Sequence, residues 1–230
     1  MYGVQLYTLR DQPSLSDTLH RLAALGYTAV EPYDLLTDPA ALRALLEETG
    51  LAVRSAHAPL LGERREEVAA AAKLIGLDTL VIPFISPEEF TGDVRGSAAR
   101  VNEAAAWAAG HGLRVGYHNH FWEIPAFEEF LAALDPEVFL EIDVYWAAVG
   151  GAQVPELLRE LGERVRFLHV KDGPGTVEEP MTAVGDGTLP IPDILAAAPH
   201  AMRVVELDRF DGDMWQPVAR SLAYLREVEA

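Results

Sequence analysis

Short runs of apolar and β-branched residues alternate along the chain with longer stretches, rich in Ala, Leu and Glu, that repeat with the period of a helix. Eight short runs have the length of a buried strand, at positions 3–7, 29–32, 52–56, 79–82, 113–118, 138–143, 166–171 and 203–208. Their starts recur at intervals of roughly 25 to 35 residues, about the length of one strand, one helix and two loops. The pattern therefore predicts a parallel sheet built from repeated βα units.

The helical stretches are bounded by residues that favour helix starts and ends. We predict helices at 16–25, 39–48, 65–74, 96–109 and 155–161, each followed closely by a glycine. Ser14 or Ser16 marks the start of the first helix and Asp38 that of the second, because a side-chain oxygen there can accept a hydrogen bond from a free backbone N–H. No Pro- or Ser-rich linker divides the chain. The sequence therefore predicts the α/β class, as a single (β/α)8 TIM barrel domain over residues 1–230 with parallel strands and outer helices.

An open, doubly wound sheet is the alternative arrangement of the same elements. Such a sheet usually carries a glycine-rich phosphate-binding turn after its first strand. Here the first predicted strand runs instead into Thr8-Leu9-Arg10-Asp11, which contains no glycine. The closed barrel is therefore favoured, with its active site at the C-terminal ends of the strands.

The overall charge restricts the partners of the protein. The 230 residues include 36 Asp and Glu against 18 Lys and Arg, which gives a formal net charge of -18. A surface this acidic repels phosphate backbones, so we expect no nucleic-acid partner. We find no apolar run of membrane-spanning length and no signal-peptide pattern, so we expect a cytoplasmic protein with no membrane partner. The oligomeric state stays open, and a homo-oligomer is compatible with the sequence.

Ionisable residues stand at the ends of six predicted strands, although a buried parallel strand is expected to be apolar throughout. Residues two apart on a strand share a face, which pairs Glu141 with Asp143 and His169 with Lys171. The strand-end residues are Glu31, His57, His118, His120, Glu141, Asp143, His169, Lys171, Glu206 and Asp208. Because the strand ends of a barrel meet at one opening, we expect these side chains to form one polar site.

The residue types of this site suit a divalent metal ion. The chain contains no cysteine, so a metal would be bound by carboxylate oxygen and imidazole nitrogen alone. This mixed set favours Mn²⁺, with Mg²⁺, Co²⁺ or Zn²⁺ as alternatives. A metal there would hold the carbonyl and hydroxyl oxygens of a sugar and stabilise the enediolate that forms when a C–H proton leaves. A neighbouring carboxylate or imidazole would accept that proton.

Five runs of the sequence, taken in order, resemble a known family. They are Gly-Val-Gln-Leu-Tyr-Thr-Leu-Arg-Asp at 3–11, Tyr-His-Asn-His-Phe-Trp-Glu at 117–123, Asp-Val-Tyr-Trp at 143–146, Phe-Leu-His-Val-Lys-Asp-Gly at 167–173 and Val-Glu-Leu-Asp at 205–208. Together they look like the sugar phosphate isomerase/epimerase family of the xylose isomerase-like TIM barrel superfamily, over nearly the whole chain. The resemblance implies a divalent-metal-dependent isomerase or epimerase that acts on a sugar or keto-sugar.

The resemblance also implies four metal ligands: an acidic residue from strand five, an Asp from strand six, a His from strand seven and a Glu from strand eight. Asp143, His169 and Glu206 match the last three positions. Strand five departs from the family pattern, because His118 stands where many members have Glu and the nearest carboxylate is Glu123. Either residue is a candidate for the fourth ligand.

The remaining polar residues receive expected roles in catalysis or substrate binding. Glu206, His118 and Lys171 are the expected catalytic residues. Lys171 is singled out because it is one of two lysines in the chain and shares a strand face with His169. The expected substrate-binding residues are Glu31, His57, His120, Trp146 and Asp208.

Three other functions remain as alternatives to an isomerase or epimerase. The His-Asn-His motif is also compatible with a metal-dependent dehydratase or lyase acting on a keto-sugar or inosose, since these reactions share the enediolate step. A non-catalytic sugar-binding barrel is less favoured, because it would need no positioned base. A nuclease like the DNA repair endonuclease of the superfamily is disfavoured by the acidic charge. Because no Arg-rich phosphate pocket is evident at the strand ends, the expected partner is an unphosphorylated small-molecule sugar.

Overall fold

The computed structural model describes all 230 residues and contains one sheet of nine parallel strands that forms a nearly closed barrel. The strands are β1 (Tyr2–Gln5), β2 (Ala29–Glu31), β3 (Ala52–Val53), β4 (Ala56–His57), β5 (Thr79–Ile82), β6 (Arg114–His118), β7 (Phe139–Asp143), β8 (Val165–Val170) and β9 (Met202–Val205). Their spatial order is β3-β2-β1-β9-β8-β7-β6-β5-β4. The predicted TIM barrel of parallel strands with outer helices is confirmed.

The strand predicted at 52–56 is divided into two short strands. β3 pairs with β2 on one side, and β4 pairs with β5 on the other. Between them, Ser55 turns its hydroxyl inward and donates a hydrogen bond to Glu31. His57 N then donates to Pro32 O at 2.8 Å, and Ala58 N donates to Val81 O at 2.9 Å. These bonds link the two ends of the sheet, so nine short strands fill the eight predicted strand positions.

Ten α-helices surround the barrel. They are α1 (Leu15–Leu25), α2 (Pro39–Thr49), α3 (Arg65–Ile75), α4 (Pro87–Gly92), α5 (Val94–Ala109), α6 (Phe127–Ala133), α7 (Val144–Val149), α8 (Val154–Leu161), α9 (Ile191–Ala197) and α10 (Trp215–Val228). The five predicted helices correspond to α1, α2, α3, α5 and α8. The unpredicted α4, α6, α7 and α9 have six or seven residues, too few turns to show a helical period. The 14-residue α10 was also not predicted. None of the ten combines the length and apolar character that crossing a membrane would require.

The predicted capping residues fix where the first two helices begin and end. Ser14 Oγ accepts a hydrogen bond from Asp17 N at 3.1 Å, and Asp38 Oδ1 accepts one from Ala41 N at 2.9 Å. Gly26 ends α1 at a φ of 95°, in the left-handed region that glycine adopts at little cost. These caps therefore define the ends of the helical segments, from which the chain continues into the next strand.

The interior of the barrel is layered, with apolar residues below and ionisable residues above. Val81, Phe139, Phe167 and Val204 form a small apolar cluster across the lower half of the barrel. A Cβ on Gly116 would lie 2.1 Å from the Phe139 ring, so glycine leaves the space that this ring fills. Two and four residues further along the strands, the same inward face carries the residues Glu141, Asp143, His169, Lys171, Glu206 and Asp208. Strand alternation therefore places the polar site directly above an apolar floor.

Candidate metal centre

Eight ionisable side chains meet above the apolar floor of the barrel, and each residue is 7 % exposed or less. They are Glu31, His57, His118, Glu141, Asp143, His169, Lys171 and Glu206. Buried ionisable groups are stable only when each has partners of suitable charge and geometry. The contacts of these side chains therefore define what the site can bind.

His118 and His169 join two layers of carboxylates, because each imidazole uses its two nitrogens in opposite directions. Toward the mouth, His169 Nδ1 lies 2.6 Å from Glu206 Oε2 and His118 Nε2 lies 3.7 Å from Asp143 Oδ2. Toward the floor, His118 Nδ1 lies 3.1 Å from Glu141 Oε2. His169 Nε2 lies 3.1 Å from the same Glu141 oxygen. The two histidines therefore connect an outer and an inner set of carboxylates.

The inner carboxylates are held by further hydrogen bonds. Glu31 Oε2 lies 2.6 Å from His169 Nε2 and accepts a hydrogen bond from Gln5 Nε2 at 2.9 Å. Its other oxygen accepts from the Ser55 hydroxyl. His57 Nε2 lies 2.7 Å from Glu141 Oε2. Glu31 and Glu141 are therefore fixed beneath the two histidines.

Two groups of side chains present donor atoms that all lie within 4.8 Å of one another and could hold a metal ion. The outer group is His118, Asp143, His169 and Glu206, and the inner group is His57, His118, Glu141 and His169. Each group contains one buried carboxylate oxygen with no hydrogen-bond donor, Asp143 Oδ2 in the outer and Glu141 Oε1 in the inner. A buried carboxylate oxygen that accepts no hydrogen bond can ligate a cation, and Asp143 Oδ2 already lies 2.9 Å from the ammonium group of Lys171. The outer group has two carboxylates against one, so it balances a dication better.

Lys171 lies among three carboxylates at the mouth side of the outer group. Its Nζ is 2.8 Å from both Glu206 Oε2 and Asp208 Oδ2. It is also 2.9 Å from Asp143 Oδ2, but this contact does not have the angles of a hydrogen bond. Burial alone would lower the pKa of Lys171, but the charges of these three carboxylates hold it well above its usual range. Lys171 is therefore an ammonium group at neutral pH, suited to donate a hydrogen bond and unsuited to accept a proton.

The ligand atoms of the outer group differ in their affinity for protons. Burial, with the positive charge of His169, lowers the pKa of His118 to about 3, so this imidazole is neutral. Burial raises the pKa of Asp143 to about 6, with Lys171 opposing the shift. Burial would also raise the pKa of Glu206, but Lys171 and His169 hold it well below its usual range. The group therefore offers a neutral imidazole and an ionised carboxylate at neutral pH.

Glu123, the sequence-based alternative for the fourth ligand, lies outside both groups. Its Oε1 accepts a hydrogen bond from the Tyr117 hydroxyl at 2.6 Å, and its Oε2 accepts one from His120 N. Burial raises the pKa of Glu123 to about 8, although these two hydrogen bonds oppose the shift. Both oxygens are thus engaged within the loop after β6, whereas His118 provides a nitrogen to each group.

A cavity of about 460 Å³ opens above the outer group at the mouth of the barrel. Of the sequence-predicted site residues, it is lined by His57, His118, His120, Trp146, Lys171, Glu206 and Asp208. Tyr7, Tyr33 and Phe84 add large, exposed aromatic side chains to its rim. The His120 ring stacks on Trp122 at a centroid distance of 4.3 Å. The cavity therefore combines ionisable groups at its base with aromatic walls.

Glu31 does not line the cavity, contrary to its expected role in substrate binding. The pairing of β1 with β2 sets Glu31 beside Gln5, one layer below the mouth, where its oxygens are used by His169, Gln5 and Ser55. Glu141 was not assigned a role from sequence, although it contacts all three imidazoles of the inner group. Its signal was present, because Glu141 is an ionisable residue in a buried strand, two residues before Asp143 and on the same face.

Comparison with known proteins agrees with this architecture. The sequence profile of the xylose isomerase-like TIM barrel family matches residues 19–227, so the chain belongs to that family. A sugar phosphate isomerase/epimerase from Parabacteroides distasonis is 25% identical, with 98% of this chain and 93% of that chain covered and a TM-score of 0.82. The resemblance inferred from the motifs is thereby confirmed. No curated protein matches the chain.

Two more distant structures share the fold alone. A D-psicose 3-epimerase solved in the presence of D-fructose is 15% identical, covers 99% of this chain and 98% of its own, and has a TM-score of 0.70. A probable 3-DHS dehydratase from Bacillus anthracis is 13% identical, covers 98% of each chain and has a TM-score of 0.76. The same barrel thus occurs in proteins named for different reactions, so the reaction must be argued from side chains.

Proposed function

We propose that this protein is a divalent-metal-dependent isomerase or epimerase that moves a proton at a carbon next to the carbonyl of a sugar or keto-sugar. The observation that carries the proposal is the outer group of two carboxylates and two imidazoles, of which Glu206 and His118 line an open cavity of about 460 Å³. Membership of the xylose isomerase-like family and the similarity to a sugar phosphate isomerase/epimerase support it.

We assign the metal to the outer group, with His118 as the fourth ligand in place of Glu123. Glu206, a carboxylate of the outer group, lines the cavity beside Lys171, whereas Glu141, the one carboxylate of the inner group, does not. The mixed oxygen and nitrogen donors favour Mn²⁺ over Mg²⁺, with Co²⁺ and Zn²⁺ as alternatives. A divalent ion held there supplies Lewis-acid stabilisation of negative charge on neighbouring substrate oxygens.

The side chains around the cavity are proposed to transfer the proton and to bind the substrate. Glu206 is ionised and lines the cavity, so it is the proposed base that accepts the proton from carbon. Lys171 donates a hydrogen bond to a substrate oxygen and keeps Asp208 in place. His120 lines the cavity with its ring stacked on Trp122, so the two rings are proposed to contact the sugar.

The substrate is proposed to be unphosphorylated. Lys171 is the only Lys or Arg that lines the cavity, and its charge is already opposed by three carboxylates. A phosphate dianion would meet the carboxylates Glu206 and Asp208 in the lining and find no arginine or further lysine there to pair with it. A neutral sugar or keto-sugar avoids this repulsion and can pack its C–H faces on the aromatic walls.

Elimination of water from a keto-sugar or inosose is the second candidate function. The observation that favours it is the asymmetry of the outer group, in which His118 occupies the strand-five position that the family pattern gives to a carboxylate. Without that carboxylate, returning a proton on the opposite face has no obvious donor, whereas loss of a leaving group after proton removal needs none there. The same Glu206 would remove the proton in either reaction.

Solvent hydrogen exchange tests the proposal directly. Metal-loaded protein is incubated in D₂O with a panel of ketoses, keto-sugars and inososes, and deuterium at carbon is followed by NMR. We expect metal-dependent exchange with at least one compound and none in Glu206→Gln. Rearranged product would indicate isomerase or epimerase action, and an unsaturated product would indicate elimination. Undiminished exchange in Glu206→Gln would remove Glu206 from the role of base.

A further inference from the structure

A second cavity, of about 450 Å³, lies at the opposite end of the barrel, and we call it the basal cavity. It is lined by Arg54, Arg114, Arg166 and Arg203 together with Thr79 and Glu229, among others. Phe167 and Met202 form part of its floor; Phe167 belongs to the apolar cluster inside the barrel, and Met202 packs against that cluster. The sugar site and the basal cavity are therefore separated by the apolar floor of the barrel.

The basal cavity has the opposite charge to the protein as a whole. The chain carries a net charge of -18, yet four of its 18 Lys and Arg residues line this one cavity. Glu229 is the only carboxylate in the lining, and it is paired with Arg203 at 2.8 Å. A concave site with several like charges concentrates a positive potential and attracts anions.

Two of the four guanidinium groups have no carboxylate partner. Arg114 is paired with Asp78 at 2.9 Å, but Arg54 and Arg166 form no ion pair. Arg166 lies over the Phe139 ring, with its Cζ 5.3 Å from the centroid, so its N–H groups have no acceptor within that contact. Arg54 and Arg166 are exposed and both line the cavity, so their guanidinium groups are accessible to an anion there.

The rest of the lining is fixed by the fold. Arg203 is 4 % exposed and donates hydrogen bonds to the carbonyl oxygens of Leu195 and Ala198 at 3.1 and 2.7 Å. Thr79 is 3 % exposed, and its hydroxyl accepts from Arg114 Nη2 at 2.9 Å. These buried contacts fix the side chains of one wall of the cavity. A bound ligand would therefore need to immobilise only the side chains of Arg54 and Arg166.

We propose that the basal cavity binds a phosphate group. Guanidinium groups form paired, charge-assisted hydrogen bonds with phosphate oxygens, and several of them approaching from different strands suit a tetrahedral dianion. The volume admits inorganic phosphate or the phosphate end of a small monoester. This site is independent of the proposed isomerase chemistry at the other mouth, so it stands even if that function fails.

Calorimetric titration with inorganic phosphate, at constant ionic strength and without added metal, tests the proposal. We expect saturable binding with a Kd of about 1 mM or tighter to the wild-type chain. The double variant Arg54→Gln/Arg166→Gln is expected to bind at least about tenfold more weakly, since each arginine makes hydrogen bonds to a charged group. Because both side chains are exposed, its melting temperature without phosphate should equal that of the wild type.

The control is Arg159→Gln, which removes an exposed arginine on α8 outside the cavity and should bind phosphate as the wild type does. A parallel titration with glycerol 3-phosphate distinguishes a phosphate monoester from free phosphate as the ligand. Tighter binding of the monoester would indicate a phosphorylated metabolite, and equal or weaker binding would indicate free phosphate. Absence of saturable binding by both probes, or equal affinity in the wild type and the double variant, would overturn the proposal.

Discussion

Replacing Glu31 with glutamine is expected to weaken divalent-metal binding, although Glu31 is not itself a proposed ligand. Glu31 Oε2 lies 2.6 Å from His169 Nε2, and the opposite nitrogen of that imidazole faces Glu206 in the outer group. The carboxylate therefore keeps a proton on Nε2 and leaves Nδ1 to face the metal. Carboxylates that hold a ligating histidine in this way fix its ring and raise its basicity.

The protonation state of His169 determines whether metal binding must displace a proton from this imidazole. Burial would lower the pKa of His169, but Glu141, Glu206 and Glu31 raise it well above its usual value, so the metal-free ring carries both protons. If the outer group held a metal, His169 would give up its Nδ1 proton to solvent, while Nε2 would keep the proton that it shares with Glu31. Metal binding should therefore release a proton, and its strength should depend on the charge of Glu31.

The expected loss is about 10- to 100-fold in metal affinity, or about 1.4 to 2.8 kcal/mol. Glutamine keeps the shape of Glu31: its oxygen can face His169 and Gln5 while its amide donates to the Ser55 hydroxyl. The affinity is measured by calorimetric titration of Mn²⁺ into chelator-treated protein, with the exposed Glu160→Gln as the control. Affinity of Glu31→Gln within twofold of the wild type would refute the positioning role.

Three further predictions address catalysis, packing and pH. Lys171→Arg should lower kcat far more than the melting temperature, because a longer, planar group does not fit among three carboxylate oxygens, and full turnover would refute this. Gly116→Ala should lower the free energy of unfolding by about 1 to 3 kcal/mol in urea titrations, since its Cβ would lie 2.1 Å from the Phe139 ring; Phe139→Leu should restore part of the loss. Burial raises the pKa of Glu123 from 4.5 to about 8, so the folded state holds this proton more tightly than the unfolded chain. The free energy of unfolding should therefore fall as pH rises between these values, by up to about 1.4 kcal/mol per pH unit, and Glu123→Gln should flatten the profile; parallel profiles would contradict this.

The barrel could be predicted from sequence because its signal repeats. Each βα unit contributes an apolar run and a helix with its own caps, such as Ser14 and Gly26 on α1, and these signals are local. The division of the third strand was not predictable in this way. It depends on Ser55 meeting Glu31 and on His57 meeting Pro32, which are contacts between different units.

The sequence was enough to predict which residues form the candidate site, but not how deep in the barrel each one lies. The ends of parallel strands meet at one mouth, which is enough to bring Asp143, His169 and Glu206 together. Whether a residue lies at the mouth or one layer below is set by the register between neighbouring strands, which a single sequence does not contain. For that reason Glu31 was expected to bind substrate, and Glu141 was expected at the polar site but given no role in it.

Metal binding by the outer group is the central claim, and one titration tests it most directly. Chelator-treated wild-type protein and the variants His118→Ala and Glu123→Gln are titrated with Mn²⁺, and bound metal is counted per chain. The account predicts one tightly bound ion in the wild type and in Glu123→Gln, with binding greatly weakened in His118→Ala. No bound ion in the wild type, or loss in Glu123→Gln with retention in His118→Ala, would contradict it.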